Sequence, residues 1–146
     1  MEIHQIQSIE QACTRLVNQF SNFNDTGDYV SLCDLFTADA SFARPTDPEN
    51  FTSGREKILA AFQGRPNDRI TRHIISNIVI DVADDSTAKG TCYATLFMAP
   101  VDAEQTKKFG VKANSSQFIG EFYIDFALTP DGWKISRQTG KIVFTT

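Results

Sequence analysis

No cluster of lysine or arginine stands anywhere in this sequence, whose 14 basic residues are outnumbered by 18 acidic ones. Binding to a phosphate backbone needs clustered cations, so nucleic acid is excluded as an expected partner. No stretch approaches the ~20 apolar residues that span a bilayer, so no membrane partner is expected either. The opening segment MEIHQIQSIE carries Glu2 and Glu10 and lacks the apolar centre of a secretion signal. A cytoplasmic location is the expectation. Cysteine is scarce: Cys13, Cys33 and Cys92 are far apart and form no CxxC or Cys/His cluster. Buried thiols in a reducing compartment, and no metal, follow from that spacing. A GxSxG elbow, a Walker loop and a dinucleotide fingerprint are all missing, so no cofactor is expected.

Phenylalanine is plentiful: twelve stand against one Trp and three Tyr in 146 residues. A chain of that length forms one domain over residues 1–146, with rings enough to fill a core or line a cavity. In residues 6–23 the apolar positions Ile6, Ile9, Cys13, Leu16, Val17, Phe20 and Phe23 recur at spacings of three and four, predicting an amphipathic helix. It should end near Asn24-Asp25-Thr26-Gly27. Asp28 then caps a shorter helix carrying Val30, Leu32, Leu35 and Phe36, and an extended piece follows at 41–44. Ser53 and Glu56 have the spacing of a capping box, opening a third helix with Ile58, Leu59 and Phe62 inward and Gly64 with Pro66 as its stop.

Beyond Asp68 the period becomes two. Residues 69–82 place Ile70, Ile74, Ile78, Ile80 and Val82 on one face and Thr71, His73, Ile75, Asn77 and Val79 on the other. Apolar residues on both faces imply a strand covered on both sides, and a second copy of the chain is the expected cover. Strands at 87–98, 115–128 and 133–144 follow, with a polar excursion at 102–108 and a turn at Thr129-Pro130-Asp131-Gly132. Helices segregated ahead of strands give an α+β class: three N-terminal helices on a strongly curved antiparallel sheet.

These residues support a family comparison. The string Phe20…Asp25-Thr26-Gly27-Asp28…Leu32…Leu35-Phe36…Asp39-Ala40 resembles the SnoaL-like branch of the nuclear transport factor 2-like superfamily. Gly54-Arg55-Glu56…Ile58…Phe62 resembles its third-helix entry, Thr71-Arg72-His73-Ile74…Asn77 its first long strand, and Asp131-Gly132-Trp133-Lys134-Ile135 its final hairpin. The resemblance implies a cystatin-like cone enclosing a small-molecule pocket, usually in a homodimer. It does not fix the activity, since this fold hosts dehydratases, isomerases, cyclases, binding proteins and structural subunits.

Scytalone dehydratase and its relatives set an Asp at the end of the first helix against a His on the first long strand, and Asp25 and His73 look equivalent. Imidazole titrates near pH ~6.5, and a neighbouring carboxylate fixes its tautomer and stabilises its cation. Asp25 alone could equally cap a turn, and His73 could be a structural histidine. The aromatic hydroxyl expected beside the Asp is replaced by Asn24; a second expected Tyr falls near Arg44 and the second His near Cys92 or Tyr93. Arg44 would suit a carboxylate or phenolate, or stand as a solvated loop residue beside Pro45. Phe20, Arg44 and Tyr93 are the candidate substrate contacts, Tyr93 ranking ahead of Tyr123 and Arg137. Three functions fit: an acid–base dehydratase, isomerase or cyclase on a small aromatic or polyketide-like compound; a non-catalytic binder of a small hydrophobic ligand; or a structural subunit like the small subunit of ring-hydroxylating dioxygenases.

Overall fold

The computed structural model describes residues 1–103 and 109–146. The first helix, α1, runs Ile3–Thr26, starting three residues before the apolar period does, because Glu2 and Gln5 form a capping box ahead of it. Its buried stripe is Ile9, Cys13, Leu16, Val17 and Phe20. Gly27 ends it at φ 73°, a left-handed conformation that glycine adopts freely, and the Asp28 N–H closes onto Phe23 O at 3.0 Å. Asp28 caps α2 (Tyr29–Cys33) by accepting from Ser31 N.

Two local expectations are corrected here. Phe36 belongs to strand β1 (Phe36–Phe42) and not to the second helix, because Leu35 O accepts from Ile135 N and draws the chain into the sheet. Ser53 lies in β2 (Thr52–Ser53), and α3 (Arg55–Gln63) begins after Gly54 with no side-chain cap. The Ser53–Glu56 spacing is therefore no capping box: Gly54 N bonds Ala40 O, which holds this entry to the sheet.

Four long strands complete the chain: β3 (Arg69–Val82), β4 (Thr87–Pro100), β5 (Phe118–Thr129) and β6 (Gly132–Thr145). The six strands form one sheet in the order β2-β1-β6-β5-β4-β3. Among the described residues, the pairing of β1 with β6 alone is parallel, so the sheet is mixed. A parallel neighbour needs no tight turn, and α3 with four strands separates these two in the chain. The polar excursion expected at 102–108 falls on residues mostly outside the described ones.

Curvature comes from bulges. Register shifts occur between Ser76 and Val79 in β3, and between Ile119 and Gly120 and between Asp125 and Phe126 in β5. In β3 the extra residue is absorbed at Asn77, whose φ is 53°. The bulge also exchanges the two faces of the strand. Thr71, His73 and Ile75 turn inward before it and Ile78, Ile80 and Val82 after it, so the two faces read from strict alternation are not those of the fold. On β4 the inward positions Ala88, Gly90, Cys92 and Ala94 are all small. A Cβ on Gly90 would sit 2.8 Å from Ile80 Cδ1, so the sheet bends tightly there.

The concave side holds α1, with Phe20, Phe36, Phe42 and Phe62 linked by ring contacts at centroid separations from 5.3 Å for Phe42–Phe62 to 6.2 Å for Phe20–Phe62. All three cysteines are buried and free. Asn tolerates the left-handed region and a β-branched residue does not. Asn77→Val is therefore expected to lower the unfolding free energy by about 1–2 kcal/mol, while Asn77→Gly leaves it nearly unchanged. Urea denaturation of the two variants measures the difference, and equal losses would mean that φ at this position carries no strain.

Candidate active site

Between α1 and the concave face lies a cavity of about 780 Å³, within the range of small-molecule sites. Phe20 from α1, Phe42 from β1, Leu96 and Met98 from β4, and Phe118 and Phe122 from β5 supply apolar wall. Where the end of α1 meets β3, Asn24, Asp25, Thr71 and His73 supply polar lining. Arg44, Arg65 and Arg69 also line it.

Asp25 lies in the last turn of α1 and turns its carboxylate to β3. Oδ1 accepts from Thr71 Oγ1 at 2.9 Å and contacts His73 Nδ1 at 2.6 Å; Oδ2 accepts from the His73 backbone N–H at 2.9 Å. The backbone bond is possible because β3 is an edge strand, with alternate N–H groups facing away from its neighbour β4. Both side chains are largely shielded, with relative exposures of 14% for His73 and 8% for Asp25. Burial alone would raise the Asp25 pKa. The His73 side chain, the His73 N–H, the imidazolium charge and the Thr71 hydroxyl outweigh it and hold Asp25 below its ordinary value. An ionised Asp25 fixes the proton on Nδ1 and leaves Nε2 as the basic atom of the neutral ring.

The structure thus brings Asp25 and His73 together, beside Phe20, in the cavity wall, and it places Arg44 on the same lining. Tyr93 is not with them. It projects from the convex face of the sheet, 48% exposed, in register with Ser76 and Glu121, so it lies outside the cavity. The row of small residues at Ala88, Gly90, Cys92 and Ala94 carries the signal for this phase, since only small side chains fit the inner face at the bend. Tyr123 is likewise on the outer face, bonded to Glu121, and Arg137 stacks on Phe51. The sequence marks Gly64 and Pro66 as a helix stop and does not single out Arg65 between them. Arg65 lines the cavity, its Nη1 donating to Asn24 Oδ1 at 3.3 Å and its Cζ 4.0 Å from the Phe62 ring centroid. Among the described residues, no three His, Cys, Asp or Glu side chains gather as a metal site would require.

A helix-lined curved sheet around a cavity that carries a carboxylate–imidazole pair is a fold of the cystatin-like type. Residues 7–139 match the SnoaL-like domain, and the chain belongs to that family. Among solved structures it is similar to a protein from Novosphingobium aromaticivorans described provisionally as a scytalone dehydratase. The identity is 18% over 99% of this chain and 91% of that one, with a TM-score of 0.82. A hexachlorocyclohexane dehydrochlorinase from Novosphingobium barchaimii shares 14% identity over 99% and 93%, with a TM-score of 0.80. A second N. aromaticivorans protein, described provisionally as an aromatic ring hydroxylase, shares 19% over 100% and 94% at 0.76. At these identities the likeness is one of fold. No curated protein matches the sequence.

The depressed Asp25 pKa sets a pH dependence. Its contribution to stability is complete above the ordinary aspartate value of ~3.9 and is lost as pH falls through the lower folded value. The unfolding free energy of the wild type should exceed that of Asp25→Asn by about 2 kcal/mol near neutrality, with the gap closing in acid. Urea titrations across pH test this, and a gap constant down to the acid limit would contradict it.

Proposed function

We propose that the protein is a cofactor-free lyase or isomerase acting on a small aromatic or polyketide-like compound, with Asp25 and His73 as its acid–base pair. The observation that carries this reading is the 2.6 Å contact between Asp25 Oδ1 and His73 Nδ1 in the wall of a phenylalanine-lined cavity. Three bonds to one buried carboxylate are more than a helix end requires. They hold an imidazole in one tautomer with Nε2 available.

In an elimination, Nε2 takes a proton from a carbon next to a carbonyl, and the C–H electron pair forms the new double bond. The hydroxyl on the adjacent carbon departs as water on receiving that proton back from the imidazolium. Asp25 stays ionised throughout and stabilises the imidazolium. An isomerisation uses the same first step, with the proton returned to a different carbon. Phe20 and the neighbouring rings bind the apolar body of the substrate, and Arg44 contacts it at the mouth.

Two properties of the setting are proposed with this function. A homodimer through the convex face is supported by the apolar side chains exposed there, among them Ile74 at 54% and Val79 at 53%. A cytoplasmic location is supported by three buried free thiols. No described helix is long and apolar enough to cross a membrane.

Screening β-hydroxy ketones for the absorbance of the conjugated product identifies a substrate. On it, Asp25→Asn and His73→Gln are each expected to lower kcat/KM by ~10²–10⁴-fold. Unchanged turnover in Asp25→Asn would refute the acid–base pair, and a tightly held compound returned unaltered would reassign the cavity to binding. Sedimentation equilibrium at micromolar concentration should give twice the chain mass, whereas a monomer would remove the dimer.

A further inference from the structure

Arg44 and Arg65 stand where a smaller recess, about 300 Å³, opens off the main cavity, and Phe42, Arg44, Thr46 and Arg65 line both spaces. Arg65 is half-buried, and its Nε is enclosed with no hydrogen-bond partner. Burial lowers this guanidinium to about 10, the charges of Arg44 and Arg69 push the same way, and Tyr29 opposes them. Among the described residues, neither Arg44 nor Arg65 pairs with a carboxylate. The acids on these walls are otherwise engaged or stand apart: Asp25 is held by Thr71 and His73, and Asp47 accepts from Asn50. Asp68 lines the cavity without bridging to either arginine.

Two cations on one wall, one of them partly withdrawn from water, with no anion between them, are unfavourable for the empty protein. An anionic ligand group reverses both costs. A guanidinium offers paired N–H donors in one plane, which match the two oxygens of a carboxylate or the single oxygen of a phenolate. Arg65 is also tied to the reaction centre, because its partner Asn24 immediately precedes Asp25 on α1.

We propose that Arg44 and Arg65 form an anion site, and that the molecule taken by this cavity carries one acidic group, a carboxylate or an ionised phenol, beside them. The inference rests on the cavity holding a small organic molecule, as in the proposed reaction, and adds the charge of that molecule and its orientation. With the anion anchored at the arginines, the apolar body extends along the phenylalanine wall and presents one carbon to His73. Arg44 and Arg65 are then binding residues that determine specificity for charged substrates.

Calorimetric titration of the full chain at neutral pH and low salt tests this with 2-naphthoate, its neutral isostere 2-naphthamide, and 4-nitrophenol, whose ionised form is read by absorbance. Naphthoate should bind about tenfold or more tightly than naphthamide, the size expected of one charge-assisted contact. Arg44→Gln, at an exposed position that can be changed without disturbing the core, should bring the two affinities to within about twofold. Arg65→Gln should act likewise and Arg65→Lys should keep part of the preference. A preference for naphthoate indicates a carboxylate; bound 4-nitrophenol ionising at lower pH than free indicates a phenolate. Equal affinity for naphthoate and naphthamide with no shift in nitrophenol ionisation overturns the proposal. So does a preference that survives Arg44→Gln and Arg65→Gln, or a failure of every anionic probe to bind. Asp25→Asn should keep the anion preference while losing turnover, so failure of the acid–base reading and failure of the anion site give different results.

Discussion

One carboxylate holds the end of the first helix to the edge of the sheet. Asp25 receives a hydroxyl, a backbone N–H and an imidazole from residues 71 and 73, all on β3. An edge strand otherwise presents unpaired N–H groups to solvent, and this bond uses one of them. The same contact also orients the one histidine found in the cavity lining among the described residues. Structure and chemistry are therefore not separable here: the helix cannot be re-registered against the strand without turning the imidazole.

Electrically the cavity has two parts. Near Asp25 and His73, a negative group is matched within hydrogen-bond distance, so the pair is close to neutral when the ring is protonated. Near Arg44 and Arg65, positive charge is unmatched among the described residues. Shielding from water strengthens the contact between Asp25 and His73. A small molecule with an acidic end and an apolar body matches that distribution better than a neutral one does.

The sequence made the scaffold legible where periodicity is long and unbroken. The bounds of β3 at Arg69 and Val82, the stripe of α1 and the Asp28 cap were all readable from spacing. Legibility failed where one residue changes the phase or where a distant strand decides. Asn77 shifts β3 by one, which no alternation rule anticipates, since the bulge is chosen by the curvature of the whole sheet. Phe36 sits at helical spacing from Leu32 but is claimed by β6 through the Leu35 carbonyl. The Asp25–His73 pair could be suggested only through family resemblance, because 48 residues separate its members. Arg65, between the helix-stopping Gly64 and Pro66, carries no signal in the sequence, and its place in the cavity wall depends on α3 ending against Phe62 and Asn24.

The three buried cysteines have a kinetic meaning as well as a packing one. Burial pushes the Cys13 thiol up to about 12 and those of Cys33 and Cys92 up to about 11, so almost no thiolate exists in the folded protein at neutral pH. Cys13 is on the helix that carries Asp25, Cys33 on α2 and Cys92 at the centre of β4. Alkylation at each must await exposure of its own element, so the chain carries three internal clocks of local opening. Comparing their rates would order the helices and the sheet by the ease with which each lets solvent in.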